Sequence, residues 1–173
     1  MTTIASVSAV AGTLAFTFTM VHSALTDLTT LKIRNRVVLA SLSAYVVLAP
    51  LAGFDPSHIF WSAVAAAIVL AAGFLLFALG WIGGGDAKLA AVTALWCGAD
   101  QTAAYLLYAA LLGGGLTTIL LIFRAQPMPA RLASAGWVVR LHSRQCGVPY
   151  GVALALAGLM VIHDTRWSSL SPF

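Results

Sequence analysis

Residues Ile59–Gly80 read "IFWSAVAAAIVLAAGFLLFALG", without one charged side chain. About 20 apolar residues at a rise of ~1.5 Å cross the ~30 Å hydrocarbon core of a bilayer, so this stretch predicts a membrane-spanning helix. The sequence then changes character. Residues Gly80–Val92, "GWIGGGDAKLAAV", set three consecutive glycines, Asp86 and Lys88 between two apolar runs. Glycines weaken a helix and a carboxylate beside lipid is costly, so this break calls for a chemical reason.

The rest of the chain fits the same solvent. Of its 173 residues, 61% are apolar and 8% charged, and mean hydropathy is +0.96. So few charges cannot make a water-facing surface; a soluble domain carries about a quarter. The expected fold class is all-α, a polytopic membrane protein forming a single domain over residues 1–173, with about six transmembrane helices near residues 4–22, 37–53, 59–80, 87–99, 102–123 and 148–163. The second span ends at "APLAGFDPSH", where Pro, Gly and Asp-Pro signal a turn. The N-terminal run lacks a basic n-region and is long enough to span, so it reads as a retained first helix rather than a signal peptide. Residues 124–149, "RAQPMPARLASAGWVVRLHSRQCGVP", read as a loop plus a helix lying in the interface.

The basic residues orient this layout. Lys32, Arg34, Arg36, Lys88, Arg124, Arg131, Arg140 and Arg144 fall in the loops after the first, third and fifth spans, and only Arg166 falls on the opposite face. The bias predicts that those three loops are cytoplasmic and both termini outside. A net charge of +4 distributed this way describes membrane topology, not a nucleic-acid surface.

The chain has no Glu, and its five acids are Asp27, Asp55, Asp86, Asp100 and Asp164. Asp55 and Asp100 lie in short outer turns, "GFDPSH" and "CGADQT", and read as turn or cap residues; Asp164 lies in the outer tail near Arg166. Asp27 and Asp86 differ, each expected in a cytoplasmic loop just past the end of a span, at one depth. Two facing carboxylates share a proton and split into an acid and a base. The ionised member can activate water against an amide carbonyl while the neutral member donates to the carbonyl oxygen. Gly83, Gly84 and Gly85, lacking Cβ atoms, would let a substrate backbone approach Asp86. Lys88 either offsets charge there or snorkels to lipid head groups.

The other polar residues are scattered. His22, His58, His142 and His163 have no ligand spacing, so no metal is expected. Cys97 and Cys146 stand alone, without CxxC spacing or a disulfide framework. Trp61, Trp81, Trp96, Trp137 and Trp167 fall near span ends, as an aromatic belt would.

Three segments carry a resemblance. "GGGDAKL" matches the GxGD signature of intramembrane aspartyl proteases through Gly83, Gly85 and Asp86. "DLTTLKIRNRVV" from Asp27 resembles the first-aspartate segment of type IV prepilin peptidases, and "VPYGVALALAG" resembles the segment opening their last helix. In order and spacing the chain is similar to that family over nearly its whole length, and closest to the short Tad-pilus branch (CpaA/TadV-like). The resemblance implies an inner-membrane aspartic endopeptidase that cuts the short basic leader from a prepilin at the cytoplasmic face, just before the substrate's hydrophobic helix. Asp27 and Asp86 match the catalytic pair, the partners are a prepilin or preflagellin-like substrate and the lipid bilayer, and no cofactor is implied. Two departures stand out: Arg34 replaces the family's usual Pro, and the cytoplasmic region of the long, N-methylating enzymes is missing, which predicts cleavage without methylation.

Two rival readings use the same residues. A small transporter or proton-conducting subunit also employs paired aspartates and glycine-broken helices, but needs polar groups through the membrane's depth, and the third and fifth spans offer none. A pilus-assembly scaffold would have no use for two acids at matched depth.

Overall fold

In the computed structural model, which describes residues 3–128 and 134–170, the described residues form helices joined by short turns. The helices are α1 (Thr3–Thr30), α2 (Asn35–Leu51), α3 (Pro56–Ala78), α4 (Gly84–Cys97), α5 (Ala99–Ala125), α6 (Gly136–His142), α7 (Tyr150–Val161) and α8 (Arg166–Leu170), with a 3-10 turn at Ile162–Asp164 before α8. The fold is all-helical, as expected. Among the described residues, three stretches are long and apolar enough to cross a membrane: Ile4–Thr30, Pro56–Ala78 and Ala99–Ala125. The apolar helices Asn35–Leu51 and Tyr150–Asp164 are shorter, and α4 has only 14 residues.

The shortness of α4 follows from its place. Nine of its 14 residues are buried, and α2, α3, α5 and α7 all pack on it, so its length is matched to its neighbours rather than to a bilayer. Small residues allow this enclosure. A Cβ on Gly73 of α3 would lie 3.0 Å from the Cβ of Ala87, and one on Gly158 of α7 would lie 2.8 Å from Thr93 Cγ2. At the end of the bundle away from Asp86, Trp96 and Trp167 pack at a tilt of 36° with centroids 4.7 Å apart, and Tyr45 packs on both. Trp96 and Trp167 are 1% and 0% exposed. They are core residues and not part of the expected belt, because enclosure by other helices is invisible to span position. Trp61, Trp81 and Trp137 are exposed, as a belt requires.

The first helix overruns its expected end at residue 22 by two turns. Hydropathy falls after His22, but the backbone stays helical: the hydroxyls of Thr26, Thr29 and Thr30 bond to the carbonyls of His22, Leu25 and Thr26 at 2.9, 2.7 and 2.6 Å, so these polar side chains are satisfied within the helix. Helix α1 stops where Leu31 turns left-handed (φ 54°) and its N–H donates to Asp27 O at 2.8 Å, a left-handed C-terminal cap. Asp27 therefore lies inside a helix, not in a cytoplasmic loop as expected.

The turn at "APLAGFDPSH" is present. Gly53 (φ +83°) ends α2, with Gly53 N–H on Pro50 O and Phe54 N–H on Ala49 O, the paired bonds of a Schellman cap. Gly80 ends α3 in the same way. Near this first turn Arg166 and Asp55 form an exposed ion pair at 3.1 Å. The segment expected as a loop plus interfacial helix contains α6, while Arg131 lies outside the described residues.

Candidate active site

Helix α1 brings Asp27 to one wall of a pocket of about 400 Å³, and α4 brings Asp86 to another; the loop Leu31–Arg34 and Gly83, Gly84 and Gly85 complete it. Two acids far apart in sequence thus meet in one cavity. None of the four histidines lines it.

Asp27 is 5% exposed. Its Oδ2 accepts the Gly151 N–H at 2.7 Å. That donor is one of the first-turn N–H groups of α7, which have no partner within their own helix. Gly151 is required there by space: a Cβ would lie 2.8 Å from Asp27 Oδ2 and 2.8 Å from Ile33 Cδ1. Two arginines tie together the elements around this contact. Arg124, in the last turn of α5, donates from Nε to Leu141 O at 2.7 Å and from Nη2 to Gly147 O at 2.9 Å. Arg140 of α6 donates from Nη1 to Thr29 O at 2.8 Å. Residues that the charge pattern marks only as topological signals therefore bind the carbonyls at the ends of α1 and α6, where a cation also suits the helix dipole.

Asp86 occupies the third position of α4, after the N-cap Gly83. It lies ahead of the apolar run 87–99. Burial, then the charge of Asp27, pushes its carboxyl up to about 7, opposed by a bond from the Gly83 backbone, the reach of a third-position carboxylate back to its N-cap. Asp86 also borders two further cavities, which it shares with Tyr150. The Tyr150 hydroxyl donates to Ala109 O at 3.4 Å, and its ring fills the space a Cβ on Gly113 would need.

The three glycines have three different neighbours. A Cβ on Gly83 would sit 2.8 Å from Asp86 Oδ2, one on Gly84 would sit 3.3 Å from the Phe77 ring, and one on Gly85 would sit 3.1 Å from Ile33 Cβ. Gly84 and Gly85 thus give close approach to neighbours within this chain, not to open space, and none of the three has positive φ. The Gly85 contact presses the Leu31–Arg34 loop against the start of α4. Arg34 holds φ at −76°, within the range a proline would impose, so the loop keeps the backbone geometry that Pro would give it. Lys88 turns away from the pocket that holds both acids, and its Nζ donates to Asn35 Oδ1 at 3.0 Å, tying α4 to the start of α2.

Gly151, Tyr150, Arg124, Arg140 and Ile33 are the site's neighbours that the sequence reading left without roles. The signal for the first two was the segment "VPYG" and for Ile33 the segment "DLTTLKIRNRVV"; the two arginines showed only as topological charges. Cys97 is buried and Cys146 partly buried, both as free thiols, and neither lines the pocket with the acids. The Cys97→Ala, Cys146→Ala double variant is expected to keep whatever activity the wild type has, with about 1 kcal/mol lost from the trimmed core at Cys97. A folded double variant that is inactive in a cleavage assay would give one of the thiols a role in the chemistry.

A model of the type IV leader peptidase family matches residues 14–118. The match covers Asp27 and Asp86 and stops before Gly151. No curated protein and no solved structure matches the chain.

Proposed function

Because the chain belongs to the type IV leader peptidase family, and is thus a peptidase with the apolar helices of a membrane protein, we propose that it is a membrane-embedded aspartic endopeptidase. Its substrate is a Flp-type or type IV-like prepilin, whose short basic leader it removes at the cytoplasmic edge of the inner membrane. The observation that carries this reading is that Asp27 and Asp86 line one pocket. The short layout, without the extra cytoplasmic region of the long enzymes, supports placing it near the Tad-pilus branch.

In this mechanism the two carboxyls share one proton. The ionised member takes a proton from water as that water attacks the scissile carbonyl carbon. The neutral member donates to the carbonyl oxygen. Collapse of the tetrahedral intermediate breaks the C–N bond and passes a proton to the leaving amine. Gly83, whose missing side chain leaves the Asp86 carboxylate uncovered, is the glycine suited to a passing substrate backbone. We further propose six spans with both termini outside, the shorter helices α2, α4 and α7 crossing together with the three long ones. The pocket then faces the cytoplasm, beside the basic loop Lys32–Arg36.

The test is leader loss from a purified prepilin in detergent, read by gel shift, with wild type compared against Asp27→Asn and Asp86→Asn. A transporter or a scaffold would give no cleavage in any of the three. The same assay carries a further expectation: cleavage continues in EDTA and without S-adenosylmethionine, and the new N-terminus stays unmethylated. The motive is that among the described residues no three His, Cys, Asp or Glu side chains are grouped to hold an ion, together with the missing methylating region. Activity lost in EDTA and restored by zinc would contradict it, as would a methylated product.

A further inference from the structure

A cavity of about 340 Å³ opens between α3 and α5, floored by α4 and α7. Its walls are mostly apolar and mix bulky side chains with a run of small ones, Ala72 and Gly73 on α3, Ala90 on α4, and Ala109 and Ala110 on α5. From Leu76 near the site to Ile68 it runs eight residues along α3, about 12 Å or two helical turns. Ile68 and Leu106, farthest from the site, are exposed at 64% and 41%, so the groove opens sideways to the surface that apolar side chains cover. At its other end stand Asp86 and Tyr150.

We propose that this groove seats the apolar helix of the substrate, with the peptide bond just before that helix delivered to Asp86. The proposal rests on the peptidase reading above and adds the route by which the substrate enters. Continuity carries it: the residue that ends the groove is one of the two acids of the pocket. Small residues are what helix association in a membrane uses, since they let backbones come within van der Waals reach. The charge at the groove's head selects the occupant. A pair of carboxyls sharing one proton keeps one negative charge and one donor: a phospholipid lying in the groove would bring an anionic head group against that charge, whereas a peptide carbonyl can accept from the donor. A second apolar groove, bounded by α2, α3 and α4 and including Ala67, ends instead at Lys88, which suits a lipid phosphate and makes it the natural control.

Ala72→Leu and Ala110→Leu add bulk into open space, so both should fold. Each is expected to lower kcat/KM for a full-length prepilin in liposomes about tenfold or more, chiefly through KM. Ala67→Leu, in the control groove, should cleave at the wild-type rate. In an Asp86→Asn background, a photo-crosslinking amino acid at position 72 or 110 should capture the substrate's apolar helix, and one at position 67 should not. Full activity in both groove variants, beside an active wild type, overturns the route while leaving the peptidase reading standing. Crosslinks from 72 and 110 only to lipid or to a second copy of the chain overturn it too. A wild type that cleaves no prepilin overturns the peptidase reading, and this inference with it.

Discussion

Asp27→Asn and Asp86→Asn are each expected to reduce leader cleavage by about a thousandfold or more, the upper part of the range for removing a general acid or base. Both substitutions preserve shape. In Asp27→Asn the amide oxygen can still accept the Gly151 N–H that Asp27 Oδ2 accepts at 2.7 Å, so membrane insertion and thermal stability should stay close to wild type. What each variant loses is the ability to carry the shared proton. The wild-type pH profile should report the same pair. The Asp86 carboxyl is pushed up to about 7, by burial first and by the Asp27 charge second, so one proton is held on the acid side of that value. As pH rises through about 7 it leaves, the pair becomes two anions with no donor for the carbonyl oxygen, and the rate falls. Undiminished cleavage by either variant would remove the carboxyl pair from the mechanism. A rate flat from about pH 6 to pH 9 would deny the shared proton.

Gly151→Val is the second large effect. A Cβ there would stand 2.8 Å from Asp27 Oδ2, 2.8 Å from Ile33 Cδ1 and 3.1 Å from Asp27 Cβ, so one substitution pushes on an acid and on the loop beside it. The Asp27 carboxylate would leave its N–H donor, and a displacement on the order of 1 Å in a reacting group costs roughly a hundredfold in rate. Gly85→Val should act in the same direction but less strongly, because its first contact is Ile33 at 3.1 Å and not an acid. Gly53 is unsuitable as a neutral reference: its φ of +83° would strain a valine wherever the chemistry lies. Gly114, with nothing within 4 Å of its would-be Cβ, serves instead, and Gly114→Ala should cleave normally. The measurement is initial cleavage rate per folded enzyme, with melting temperature in parallel. Normal rates for Gly151→Val in a folded protein would mean that the Asp27–Gly151 contact has no part in placing the acid.

Composition and hydropathy made the all-helical class and the long helices α3 and α5 readable, because exposure to lipid acts on every residue of a span and leaves an unbroken apolar run. The helix ends were less readable. Hydropathy measures where polar side chains become tolerable, while the backbone ends where its hydrogen bonds run out, and at Thr26–Thr30 these differ by two turns. The candidate acids could also be singled out. In a chain with no Glu, Asp27 and Asp86 were the two acids expected beside the cytoplasmic ends of spans, and a bundle can bring them together.

What the sequence by itself determined is therefore local: the solvent of the chain, the turn at "APLAGFDPSH", and the chemical types able to act. Only the tertiary structure decided which groups meet. Gly151 reaches Asp27 across 124 residues of sequence, Arg140 reaches Thr29 across 111, and Gly85 presses on Ile33. Such contacts leave no periodic trace, since each needs one small or polar residue at one point of a packed interface. The same holds for Trp96 and Trp167, whose burial depends on neighbouring helices and not on their own flanks. Lys88 could have served either the acids or the lipid surface; the rotation of α4 imposed by its packing turned it to Asn35, outside the pocket that Asp27 and Asp86 share.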